Sequence, residues 1–73
     1  MVEQQHPGVV HALRQFRYEH LPTHLQAVSK PFHDLAHSMI ETGTGIELTV
    51  GLRKLLEAKD CAVRAAIEKR DAV

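Results

Sequence analysis

Apolar residues recur at steps of three and four in three stretches of this chain. The longest is 44–70, where Leu48, Leu52, Leu55, Leu56, Val63, Ala66 and Ile67 line one face of a helix. Beside that face runs a second stripe of small residues: Gly51, Ala58, Cys61, Ala62 and Ala65. Thr44 and Glu47 have capping-box spacing, which predicts a helix start there. Lys69 and Arg70 put positive charge at the far, negative pole of the helix dipole. The pattern predicts a helix over 45–70.

Upstream, Leu25, Val28, Phe32, Leu35, Ala36 and Met39 form another apolar stripe. Thr23 with Gln26 repeats the capping-box spacing. Pro31 lies inside the stripe, and an interior proline removes one backbone hydrogen bond. Either the helix restarts with Ser29 as its cap, or one helix spans 24–41 with a kink near Pro31. The stripe keeps its phase through the proline, which favours the kinked single helix. Val9, Val10, Leu13 and Phe16 predict a short first helix over 8–17, following a polar leader. Pro22 disfavours helix at Leu21 and separates the two. Thr42-Gly43-Thr44-Gly45 is the glycine-rich turn, and a connection this short makes antiparallel neighbours. Positions 46–50 imitate a strand, but the cap at Thr44 argues for helix. The expected architecture is all-α: one domain, a short N-terminal helix and then an antiparallel helical hairpin.

Size sharpens this picture. Seventy-three residues bury a small core that is marginal without a staple. A single cysteine excludes an internal disulfide, and Cys61 reads as a small buried apolar residue. Oligomerisation is the expected route to stability, with the small-residue stripe as the meeting surface. Nine basic and nine acidic residues cancel. A neutral chain without a basic run has no general attraction to duplex nucleic acid. No apolar run approaches the roughly 20 residues that span a bilayer. The first six residues lack the features of a signal peptide, so a cytoplasmic location is expected.

Candidate chemistry is sparse. Of six histidines, His20 with His24 and His33 with His37 stand at i, i+4 spacing. Such pairs can hold a metal from one helix face, but a site needs a third ligand, and the hydrolytic His-Glu-x-x-His pattern is absent. The histidines read instead as interface or surface residues, and no cofactor is expected. Ser29 and Ser38 read as helix-cap and helix-surface residues, with no nucleophile elbow around either. Gly43-Thr44-Gly45 is too short for a P-loop; the amides of the following helix leave it a weak anion candidate beside its plain reading as a turn. Lys54 with Glu57 and Asp60 with Arg64 are spaced to pair on a solvated face. Alternatively, arginines of this helix, Arg53 and Arg64, line an anion pocket between subunits. Tyr18 stands in the break between helices with Arg17 before it and His20 after it. An aromatic ring on a short loop can stack on a base, with Lys30 downstream as a phosphate partner. It can equally staple the first helix to the hairpin.

The ordered set of signals resembles a known family. Phe16, Tyr18, His20 and Pro22 come first; then Phe32, Leu35 and Ala36; then Leu48-Thr49, Leu52, Leu55, Glu57-Ala58 and Ala62-Val63-Arg64-Ala65. Together they resemble the hairpin domain of phage anti-CBASS and anti-Thoeris cyclic-nucleotide sponges, over about residues 16–67. Two positions differ from that pattern. Glu19 and Leu21 widen the Tyr-His-Pro element, and Cys61 stands where members often carry an aromatic. The resemblance implies a non-catalytic protein that assembles as a symmetric homo-oligomer, typically a hexamer. It would bind cyclic di- or trinucleotides in the bacterial host cell without degrading them. It also implies Tyr18 as the stacking aromatic and Lys30 as the phosphate partner, near a pocket shared by two chains. Arg64 matches a basic or polar family position, and His20 and Arg53 complete the candidate ligand-binding set.

Overall fold

The computed structural model describes residues 7–72; the polar leader before them lies outside the described residues. Three helices follow in order: α1 (Pro7–Arg14), α2 (Thr23–Thr42) and α3 (Gly45–Asp71). No strand occurs among the described residues, and 46–50 is helical. The particle measures 50 × 21 × 17 Å. Among the described residues, no helix is long and apolar enough to cross a membrane.

α1 is three residues shorter at its end than the 8–17 expected. After Arg14 the chain tightens, and the amides of Gln15, Phe16 and Arg17 donate to carbonyls three residues back. This tightening turns Phe16 inward, where it is fully buried. An eight-residue helix is too short to persist alone, so α1 depends on docking Val9, Ala12 and Leu13 against the other two helices.

α2 runs unbroken through Pro31. The restart at Ser29 does not occur. Ser29 is instead wholly buried in mid-helix, and its Oγ has no hydrogen-bond partner among the described residues. The expected Thr23–Gln26 capping box is absent too. Pro22 occupies the cap position and has no side-chain acceptor. Its carbonyl accepts from the amides of both Leu25 and Gln26 at 2.9 Å. Gln26 Nε2 donates outward, to the carbonyls of Leu21 at 2.8 Å and Glu19 at 3.3 Å. One glutamine thus ties the preceding loop to the helix. At the other end, the Thr42 hydroxyl donates to the Ser38 carbonyl at 3.1 Å.

α3 begins after Thr44, whose backbone takes the cap position without a side-chain bond to the helix. The Thr44–Glu47 capping box therefore also fails to form. Gly45 enters with φ +82, a left-handed backbone that a side chain would strain. Next to this turn α2 and α3 approach closely: a Cβ at Gly51 would lie 3.0 Å from Met39 Cε. At the opposite end of both helices, Arg70 Nη1 lies 2.8 Å from His24 Nδ1. Between those points the core gathers Ala36, Leu48, Leu52 and Phe16, with Phe32, Met39, Ile40, Leu55 and Leu56 half-buried around them.

Two expectations about packing are corrected. Leu35 does not close the core; it is 49% exposed. It sits one residue before buried Ala36, and one helical step of about 100° carries it off the buried face. Cys61 is exposed rather than buried. It belongs to the small-residue stripe, which α1 and α2 leave largely uncovered at Ala58, Cys61 and Ala65.

Candidate functional site

The five candidate ligand residues separate into two clusters and one outlier. Tyr18 and Lys30 form the first cluster. The Tyr18 ring is half-buried and stands edge-on to the His33 imidazole, with centroids 5.1 Å apart and planes at 70°. His33 in turn lies 4.5 Å from the His37 ring. Edge-to-face packing places the positive ring edge on the negative ring face and fixes the orientation of both. The loop itself is held by the Tyr18 amide, which donates to Glu19 Oε1 at 3.2 Å, and by the Leu21 amide, which donates to the Tyr18 carbonyl at 3.0 Å.

Lys30 lies one turn before His33 on α2. Its Nζ donates to Asp34 Oδ2 at 2.7 Å, with both side chains about half exposed. Asp34 Oδ1 is also 3.0 Å from His33 Nδ1. One carboxylate thus anchors the cation and the ring that backs the tyrosine. The hydrogen bond from Lys30, followed by that from His33, holds the Asp34 carboxyl below the ordinary aspartate range. Asp34 reciprocally holds Lys30 above the ordinary lysine range. Hydrogen bonds from backbone amides, its own first, lower Glu19, with His33 and Arg17 adding smaller attractions.

His20 and Arg64 belong to the second cluster. They line a groove of about 370 Å³ between α3 and the segment joining α1 to α2. Arg14, Arg17 and Lys59 line it as well, with Asp60 as the single carboxylate. Lys59 is largely buried and fixed, donating to the Gln15 carbonyl at 3.1 Å and lying 3.2 Å from Asp60 Oδ1. Arg64 Nη2 is 3.5 Å from Cys61 Sγ. The expected Asp60–Arg64 pair is therefore replaced by Lys59–Asp60, and Lys54–Glu57 does not pair. Arg53 is exposed on α3 and touches neither cluster.

The histidine pairs part company. His24 meets Arg70 while His20 faces the groove, so the first pair shares no partner. His33 and His37 do touch. No group of three or more His, Cys, Asp or Glu residues able to hold a metal occurs among the described residues.

Three groove cations were not singled out by sequence. Arg14 and Arg17 stand three apart, the spacing of one helix face, and that was the available signal. Lys59 stands next to Asp60 on the helix face expected to be solvated, and nothing in the sequence signals its burial. His33, which orients Tyr18, is visible in the sequence only as half of the His33–His37 pair, and Asp34, which holds Lys30, carries no signal there. No family model, curated protein or solved structure matches this chain.

Proposed function

We propose that this chain is a binding protein that sequesters cyclic oligonucleotide second messengers without cleaving them. It would act as a phage-type immune-evasion sponge against CBASS or Thoeris signalling in a bacterial cytoplasm. The observation that carries this reading is the juxtaposition of Tyr18 with Lys30. A ring fixed by an edge contact with His33 offers a face for a base, and Lys30, joined to the same His33 through Asp34, offers a partner for the phosphodiester. The resemblance over residues 16–67 supports the same pairing. Sequestration requires affinity alone, and a small helical chain with a cation beside an aromatic can supply it.

In this reading α2 and α3 are the two arms of an antiparallel hairpin. Copies meet along the uncovered stripe of Ala58, Cys61 and Ala65 in a symmetric homo-oligomer, a hexamer by family resemblance. A pocket shared by two chains would then form around each Tyr18.

The experiment is titration calorimetry of the full chain against a panel of cyclic di- and trinucleotides. Saturable heat with at least one member is expected, weakened by Tyr18→Ala. Silence across the panel at tens of micromolar would sink the reading for those ligands.

A second reading, a self-assembly or protein-docking module without a nucleotide ligand, is favoured by one specific observation. Ile46 is 79% exposed and Ile67 is 40% exposed on the same helix. Light scattering of the purified chain that shows a defined oligomer, combined with a silent panel, selects this reading over the first.

A further inference from the structure

We infer that the groove between α3 and the α1–α2 connection is a separate binding site for a small polyphosphorylated anion. This assignment does not rest on the cyclic-nucleotide reading, because neither Tyr18 nor Lys30, which carry that reading, lines the groove, although His20 and Arg64 do. The whole sequence is electrically neutral. Yet Arg14, Arg17, Lys59 and Arg64 converge on one groove against Asp60 alone. Four permanent cations facing one carboxylate is a local concentration of positive charge that the chain's overall balance does not require.

The cations come from both walls. Arg14 and Arg17 belong to the end of α1 and the turn after it, whereas Lys59 and Arg64 belong to α3. The turn is locked in place by buried Phe16 and by the Lys59 bond to the Gln15 carbonyl. That bond spans 44 residues of sequence. The backbones that carry the cations, and the Lys59 side chain, are therefore held by tertiary structure, which leaves only the exposed arginine side chains to be ordered on binding. Asp60 is occupied by Lys59, and neither Arg14 nor Arg17 has an ion-pair partner among the described residues. Guanidinium groups present planar forks of donors that match phosphate oxygens in pairs. Leu21 and Val63 add an apolar strip to the lining. At about 370 Å³ the groove lies in the range of small-ligand sites.

His20 also lines the groove, and in its protonated form would add to the positive set. The shared chemistry is therefore phosphate oxygens carrying two or more negative charges. They could arrive on a linear nucleotide's terminal phosphates or on the diesters of a cyclic one.

Titration calorimetry of the full chain with inorganic tripolyphosphate, at low salt, tests the site. Tripolyphosphate has no base to stack on Tyr18, so its result stands apart from that of the cyclic-nucleotide panel. Saturable binding is expected, weakening as salt rises. The Arg17→Ala/Arg64→Ala double variant should lose roughly tenfold or more in affinity. Lys54→Ala, which removes an exposed lysine of α3 outside the groove, should bind as the parent does. Circular dichroism checks that helicity is kept, and Arg17→Glu, at an exposed position, provides a second variant with a larger expected loss. Repeating the comparison with a linear nucleoside triphosphate and a cyclic dinucleotide assigns the source. A loss confined to the linear ligand points to terminal phosphates, and a parallel loss with the cyclic one points to diesters. Equal affinity of the parent and the double variant for tripolyphosphate, or no saturation at millimolar concentration, overturns the site.

Discussion

The Tyr18 ring and the His33 imidazole meet edge to plane, 5.1 Å between centroids. Tyr18 comes from a loop and His33 from the middle of α2. The contact therefore sets the angle at which the loop offers its aromatic surface. Removing His33 should leave Tyr18 in place on the chain but less constrained in direction. His33→Ala is expected to weaken cyclic dinucleotide capture by roughly twofold to tenfold, the scale of an aromatic pair contact. A double-mutant cycle with Tyr18→Ala should show strong coupling, with the second substitution costing little after the first. Additive losses would mean that His33 acts elsewhere.

Asp34 holds Lys30 and so competes with any phosphate for it. Asp34→Asn frees the ammonium and should tighten cyclic dinucleotide binding by roughly twofold to fivefold. It should also return Lys30 to the ordinary lysine range, a change readable by NMR titration of the lysine side chain. The pH dependence has a defined sign. A depressed carboxyl such as Asp34 contributes stability above the ordinary aspartate value and loses it as pH falls through its lowered folded value. A raised ammonium such as Lys30 contributes fully below the ordinary lysine value and loses its contribution as pH rises through its raised folded value. The pair is thus intact across the neutral range and opens only at the acidic and strongly basic ends.

Ser29 buries a hydroxyl with no hydrogen-bond partner among the described residues. An unmatched buried donor carries a desolvation penalty, so Ser29→Ala should raise stability by about 1 kcal/mol. Chemical denaturation with an unchanged slope and a higher midpoint is the expected result. A loss of stability would show that the hydroxyl is satisfied in solution, for instance by an internal water.

Leu52 is fully buried in the core. Leu52→Ala should cost about 2–5 kcal/mol. A chain this small has only about 4–11 kcal/mol of stability in total, so most of the cooperative transition should be lost from a thermal melt.

Gly45 supplies the left-handed residue that lets α3 start directly after the turn. Gly45→Ala meets no atom within 4 Å, so any loss comes from the backbone alone. About 1–2 kcal/mol is expected in denaturant titration.

The three helices were legible because the apolar stripes are long and keep their phase, and because Pro22 and Gly43 interrupt them. The helix-starting signals were less faithful. Thr23–Gln26 and Thr44–Glu47 both have capping spacing, yet neither caps, since Pro22 displaces Thr23 from the cap position and the Thr44 side chain makes no bond to the helix. Periodicity also could not say how wide the buried arc is. It counted Leu35 as core and left Ser29 out, although Ser29 stands seven residues before buried Ala36 and so on the same face. Tyr18 and Lys30 were found by residue type and place in the chain. The groove was not, because it joins Arg17 to Arg64 across more than forty residues of sequence, and local spacing carries no information about such pairs.

Phe16 has no exposed surface, and only Arg17 separates it from Tyr18. The aromatic of the loop is thus on a two-residue leash to the centre of the molecule. A ligand that holds Tyr18 would also hold Phe16 in its socket, and through it the eight-residue α1 that cannot persist undocked. Occupancy would register in the amides of α1 as slower hydrogen exchange, well away from any atom that touches the ligand. The shortest helix would then serve as the gauge of whether the loop is engaged.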